Sequence, residues 1–343
     1  MKNIFKVFLL LPLLLNSSLF GKEAFGIKDF LNKEILVTKA PKKGVITCYG
    51  GAVQQIAIFA ESDFIIAHPK SESFPFFKKL FPMLANKKSI GTFNDINLEK
   101  LLKINPDIVF AGSTSIETNN KIEKLGIPVY TMGIGKHSLK SLLAEFDNMG
   151  KLFLEKEKAQ ELIEYWQLKL KEVESQTESI KHRKKVFYAS GSSEISSENK
   201  DWWGDVFITK SGGINVANKM EAKGTISIEK IILWNPDVII LPSNRTLKTT
   251  AKDFLNKPQF GSITAVKNKE IHMVPVAGFW WDRPSPEAIL GIMWLSKVLY
   301  PEEMKYLDLK KESKFFYEKF YNYKLTADEY EGFLNGLSSL KNY

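Results

Sequence analysis

The stretch LEKLLKINPDIVF at residues 98–110 returns, in register and without a gap, as IEKIILWNPDVII at residues 228–240. In each copy, apolar residues at helical spacing (Leu98, Leu101 and Leu102, or Ile228, Ile231 and Ile232) run up to Asn-Pro-Asp and give way to an Ile/Val-rich segment. Proline disfavours the α region for the residue before it, so each helix ends there. The apolar run that follows suits a parallel strand covered on both faces. The unit is therefore helix, stop and buried strand, written twice. It predicts an α/β fold of two similar, Rossmann-like lobes with a ligand cleft between them.

Between the copies lies a charged segment, residues 156–180, in which Ala159, Leu162, Ile163, Trp166, Leu170 and Val173 recur at i, i+3, i+4, i+7 spacing. Glu and Lys fill the other face. At 1.5 Å per residue such a helix runs on the order of 37 Å, long enough to lie across the backs of two small domains. It reads as a brace joining an N-terminal lobe at 22–150 to a C-terminal lobe at 183–343, with the linker at 151–182.

Upstream, residues 1–21 carry Lys2 and Lys6, an apolar run at 7–15, and small polar residues at 16–18. This is the pattern of a secretory signal, too short for a membrane span. Cleavage is expected after Gly21, with Ala24 as the alternative. The only cysteine, Cys48, lies far beyond the apolar run, so no lipid anchor is expected and no internal disulfide is available. A soluble, monomeric periplasmic protein follows. The formal charge is +9 over 343 residues, with basic and acidic residues interspersed. No nucleic-acid stripe is visible, and the mildly basic surface favours anionic ligands.

Ligands in open α/β sheets sit beyond the carboxyl ends of the strands. The residues expected there are Tyr49 after a strand at 44–48, His68 after one at 63–67, and Phe93 just before the first repeat. The second lobe offers Trp202-Trp203 and the loop Trp280-Trp281-Asp282-Arg283. Neighbours on an extended chain point in opposite directions, so one Trp of each pair is free to be core while its partner lines the cleft. Ser285, as N-cap with Pro286 at the first helical position, is expected to start a helix reaching about Leu299, which puts Arg283 beside a helix N-terminus. A salt bridge from Arg283 to Asp282 or Glu287 is the alternative. There is no HExxH, GxSxG, Walker A or paired CxxC, and four scattered His residues make a bare-metal site a poor fit. Cys48 reads as a small buried hydrophobe.

The signal, the two lobes joined by a long helix, the duplicated LEK…NPD pattern and the WWDRPSPE segment at 280–287 resemble the periplasmic binding proteins of iron-siderophore, haem and cobalamin ABC importers, the helical-backbone class. The resemblance spans nearly all of the mature chain. It implies capture of a metal chelate, a ferric-siderophore-type complex first, in a cleft that closes only slightly, and delivery to an inner-membrane ABC permease. The metal is cargo, with no resident cofactor or metal. The resemblance also implies one permease-docking glutamate per lobe, Glu99 and Glu229, and aromatic cleft positions at Phe93, Trp202 or Trp203, and 280–283. The segment Cys48-Tyr49-Gly50-Gly51 departs from the commonest pattern. Alternatives are a molybdate binder relying on Arg283, a chelatase-like cleft enzyme using His68 and Cys48, and a scaffold with no small ligand.

Overall fold

The computed structural model describes residues 25–335 apart from 38, 62, 71–73, 75, 191–192 and 244–249. The expected secretory signal and its cleavage site lie outside the described residues. No helix among those described is long and apolar enough to cross a membrane.

The two copies fold alike, for a reason finer than the proline. Helix Leu98–Ile104 is capped by Asn97, whose side chain accepts from Lys100 N, and helix Ile228–Trp234 by Ser227, which accepts from Lys230 N. Each helix ends on the asparagine of the triplet, Asn105 at φ 49° and Asn235 at φ 44°. Asn tolerates this left-handed conformation, which turns the chain out of the helix. The aspartate then ties the unit to the neighbouring first strand of its sheet. Asp107 Oδ2 accepts from Lys42 N and Lys43 N (2.7 and 3.0 Å), and Asp237 Oδ2 accepts from Lys185 N at 2.8 Å. All three residues of Asn-Pro-Asp thus have equivalent structural work in both lobes.

Each lobe is a four-stranded parallel sheet. In the first lobe the order is Ile65–Ala67, Gly44–Ile46, Ile108–Gly112, Val129–Met132; in the second it is Ile214–Asn215, Lys185–Tyr188, Val238–Leu241, Ile271–Met273. Numbered within its own sheet, each order is 2-1-3-4. The direction of winding reverses between strands 1 and 3, and a crevice opens at their carboxyl ends. These ends carry Tyr49 in one lobe and Ser243 in the other.

The linking helix spans Lys156–Thr177, about 33 Å, so residues 151–152 belong to the preceding helix Leu139–Leu152 and 178–182 lie beyond its end. Ala159, Leu162, Trp166 and Val173 are buried as the periodicity requires, and Ile163 and Leu170 are half-buried. Trp166 is the pin. Its ring lies 5.9 Å from Phe146 of the first lobe and 6.3 Å from Trp203 of the second, and its Nε1 donates to Pro286 O. One hydrophobic core runs through both lobes and the helix.

The last two described helices supply a second, non-covalent tie. Tyr321, Tyr323 and Phe333, from helices Leu309–Tyr321 and Ala327–Leu334 and the link between them, pack on Phe76 and Phe81 of the first lobe at 4.8–5.2 Å. Lys79 pairs with Glu329 at 3.0 Å. Closing the cleft by a large rotation would break both ties and bend an unbroken helix. Solution scattering with and without ligand is expected to show almost no change in radius of gyration. A contraction of several ångströms would refute this.

Candidate functional site

The first-lobe wall is built from three loops. Gly50 and Gly51 leave the first strand at φ 84° and 80°, a conformation suited to glycine. At Gly51 a Cβ would sit 2.6 Å from Ser285 Cβ and 2.9 Å from Pro284 O, so the bare backbone lets the lobes touch there. Tyr49, half-buried, faces Phe93 with ring centroids 6.0 Å apart. Partial burial raises its hydroxyl pKa. Phe93 is at the tip of the hairpin Gly91–Thr92/Asp95–Ile96, held at φ 52° while its N–H donates to Thr47 O at 2.7 Å. Its ring lies over Gly112, where a Cβ would be 3.1 Å away. The third loop, after Val129–Met132, brings Gly135 and Lys136 to the second lobe, and Gly135 O accepts from Trp203 N at 2.9 Å.

The second-lobe wall divides both tryptophan pairs. Trp202 is half-buried at the cap of helix Trp203–Lys210, and Trp280 is half-buried, its Nε1 donating to Ser243 O and its ring edge-on to Phe74 at 4.7 Å. Trp203 and Trp281 are 0% exposed. Trp203 packs on Trp166, and Trp281 donates to Tyr317 OH at 3.3 Å. Their assignment to the ligand site is therefore corrected: alternation along the chain sends them into the core.

Arg283 sits among charges. Its Nη1 is 3.2 Å from Glu198 Oε1, its Nε is 3.9 Å from Asp282 Oδ2, and its Cζ lies 5.8 Å from the Tyr188 ring centroid. The Tyr188 hydroxyl donates to Asp282 Oδ2, while Asp282 Oδ1 is buried without a protein partner. Burial works against the guanidinium charge, but Tyr188, Asp282 and Glu198 outweigh it and raise its pKa. The expected helix start at Ser285 is also corrected. The helix runs Ala288–Leu299, and Ser285 Oγ is buried without a partner. Arg283 is thus five residues ahead of the first turn, too far for the helix dipole to matter. Glu287 is turned into the core, away from Arg283.

Trp202 collects two cations. Lys223 Nζ stands 3.4 Å over its ring and Lys136 Nζ, from the opposite lobe, 5.4 Å. Burial lowers the Lys223 pKa; Glu198 opposes that, and the nearby charges of Arg283 and Lys136 add to it.

Other candidates lie elsewhere. His68 is 4% exposed, and its Nδ1 and Nε2 are 2.7 and 2.9 Å from the carbonyl oxygens of Pro69 and Leu84, so this turn residue is corrected to a structural one. Cys48 is fully buried against Phe110 O, and burial pushes its thiol pKa far up. The enzyme reading loses both of its residues. His137, on the loop after Val129–Met132, is buried with its Nε2 3.4 Å from Glu145 Oε1. Glu99 and Glu229 are both exposed. Among the described residues no cluster of three metal-ligating side chains occurs. Sequence reasoning missed Lys136, Lys223, Glu198 and Tyr188. Lys136 and Tyr188 could have been found by their place at or just beyond the carboxyl ends of strands.

Comparison with known proteins fits this geometry. Residues 46–275 match the family described as periplasmic binding protein, across both sheets and the helix between them. The chain belongs to this family. Among curated relatives, the molybdate-binding protein MolA of Haemophilus influenzae is 26% identical over 265 residues, 71% of this chain and 75% of MolA. The vitamin B12-binding protein of Salmonella paratyphi A is 25% identical over 229 residues, 64% and 79% of the two chains. A solved periplasmic solute binding protein from Veillonella parvula superposes with a TM-score of 0.77 at 25% identity, covering 93% of this chain and 99% of that one. This periplasmic binding protein therefore shares the two-lobed class of ABC-importer binding proteins.

Proposed function

We propose that the protein captures a metal complex in the interlobe cleft and delivers it to an inner-membrane ABC importer, with a ferric chelate as the first candidate cargo. One observation supports this reading above others: aromatic side chains stand on facing loops of the two lobes, with Tyr49 against Phe93 at 6.0 Å on the first, Trp202 on the second 5.4 Å from Lys136 of the first, and Trp280 and Arg283 on the loop whose Pro284 and Ser285 meet Gly51. Aromatic rings supply apolar contact for a chelator's body, and the guanidinium a charge-assisted contact for its anionic rim. Molybdate is the second reading, supported by the similarity to MolA. No catalysis is proposed. The protein acts free in the periplasm as a monomer, and Glu99 and Glu229 dock it onto the permease.

Calorimetric titration with iron(III) tris-catecholate, haem, cyanocobalamin and molybdate decides among cargoes. Arg283→Ala is expected to weaken an anionic ligand by roughly 1.5–3 kcal/mol, the scale of a hydrogen bond to a charged group. Unchanged affinity in the folded variant would assign Arg283 to Glu198 and Asp282 alone.

A further inference from the structure

We propose that the bound solute is an anion gripped simultaneously by Lys136 of the first lobe and Lys223 of the second, and that Trp202 is the post on which both ammoniums lean. This deepens the cleft reading and rests on it. Neither lysine was a candidate in the sequence, and the role given to Trp202 differs from stacking on a ligand ring. Its π-system is already used. Lys223 Nζ lies 3.4 Å over the ring centroid and Lys136 Nζ 5.4 Å from it. The backbone of Gly135 leaves so little room that a Cβ there would stand 3.3 Å from ring carbon Cζ3. An aromatic face that holds cations orients them without neutralising them.

The charge balance calls for an anion. Among the described residues, neither lysine forms an ion pair. The carboxylate that acts on Lys223, Glu198, is itself bonded to Arg283 and Gly204 N, and Asp282 of the same cluster accepts from the Tyr188 hydroxyl. Burial, Arg283 and Lys136 disfavour the charge on Lys223, against support from Glu198. The Lys136 and Lys223 ammoniums at one ring repel each other, and a ligand that carries negative charge on two sides converts that repulsion into attraction. Because the lysines come from opposite lobes, such a ligand also joins the lobes. The class this selects is a compact polyanion: a metal oxyanion, or a metal chelate with an anionic rim. A neutral corrinoid gains nothing from it.

The test is calorimetry at 50 and 300 mM NaCl with molybdate, iron(III) tris-catecholate and cyanocobalamin as probes. Melting curves confirm that each variant is folded. Wild type is expected to bind one of the two anions, and which one it binds distinguishes oxyanion from chelate. Affinity should fall at the higher salt as exposed charges are screened. Lys136→Ala and Lys223→Ala should each weaken that anion about tenfold or more, the scale of a charge-assisted contact. Lys223→Arg should restore most of the loss, and Trp202→Leu, which removes no charge, should weaken binding comparably to either lysine variant. Lysine variants that bind the anion as wild type does would overturn the grip, as would preferential binding of cyanocobalamin; either leaves the cleft reading standing. Wild type that binds none of the three probes would overturn the grip, and failure to bind haem as well would overturn the cleft reading.

Discussion

Changing Glu99 and Glu229 together to lysine is expected to abolish importer-dependent uptake while ligand affinity stays at the wild-type value. Both carboxylates are exposed in the first turn of a short helix, one on each lobe. The opposite faces of those helices are held by Leu101 and Ile231, each 0% exposed, so neither glutamate can turn inward without dismantling its helix. In the docking role proposed above the two carboxylates meet basic residues of the permease, so reversal would set like charges against each other and cost both steering and the bound state. Neither glutamate is in the cleft, so calorimetry should see no change. Uptake at the wild-type rate would sink the docking role. Lost ligand binding would show that these helices face the cleft after all.

Glu287→Gln is expected to remove a component of stability that declines from acid to neutral pH. Glu287 is 0% exposed, on the loop that carries Trp280 and Arg283, and it accepts from the Tyr317 hydroxyl at 2.8 Å and Phe279 N at 3.4 Å. Its other oxygen is buried without a partner. Burial pushes the carboxyl up to about 7, with the Tyr317 and Phe279 contacts pulling back. A group raised in the folded state contributes fully below its unfolded pKa, and the contribution is lost as pH rises through the folded value. Relative to the variant, wild type should therefore lose roughly 3 kcal/mol between about pH 4.5 and pH 8. Glutamine keeps an acceptor for Tyr317 but cannot ionise. Urea denaturation of both proteins at a series of pH values checks this, because every other titrating group cancels in the difference. Parallel curves would mean that water reaches the carboxyl and holds it near the ordinary carboxylate range.

The sequence by itself determined the duplicated unit, the two parallel sheets, the linking helix and the crevice at the strands' carboxyl ends. Those features follow from signals that are local and periodic: apolar spacing of 3.6, Ile/Val runs, and Asn-Pro-Asp at matching places. Even there it credited the stop to proline, whereas Asn105 and Asn235 make the turn and Asp107 and Asp237 fasten it. Alternation also predicted that each tryptophan pair would divide. It carries no information about which member faces in, because that depends on Trp166 waiting beside Trp203 and on Tyr317 reaching Trp281 from a helix more than thirty residues downstream. Only the tertiary structure decided that His68 spends its ring on two carbonyls and that Glu198 claims Arg283. The same holds for the meeting of Lys136 and Lys223 at one indole and for the C-terminal helices as a second tie between lobes. The physical reason is common to all of these. Partners far apart in sequence leave no period in it, and charge or aromatic contacts are set by distance in the folded chain.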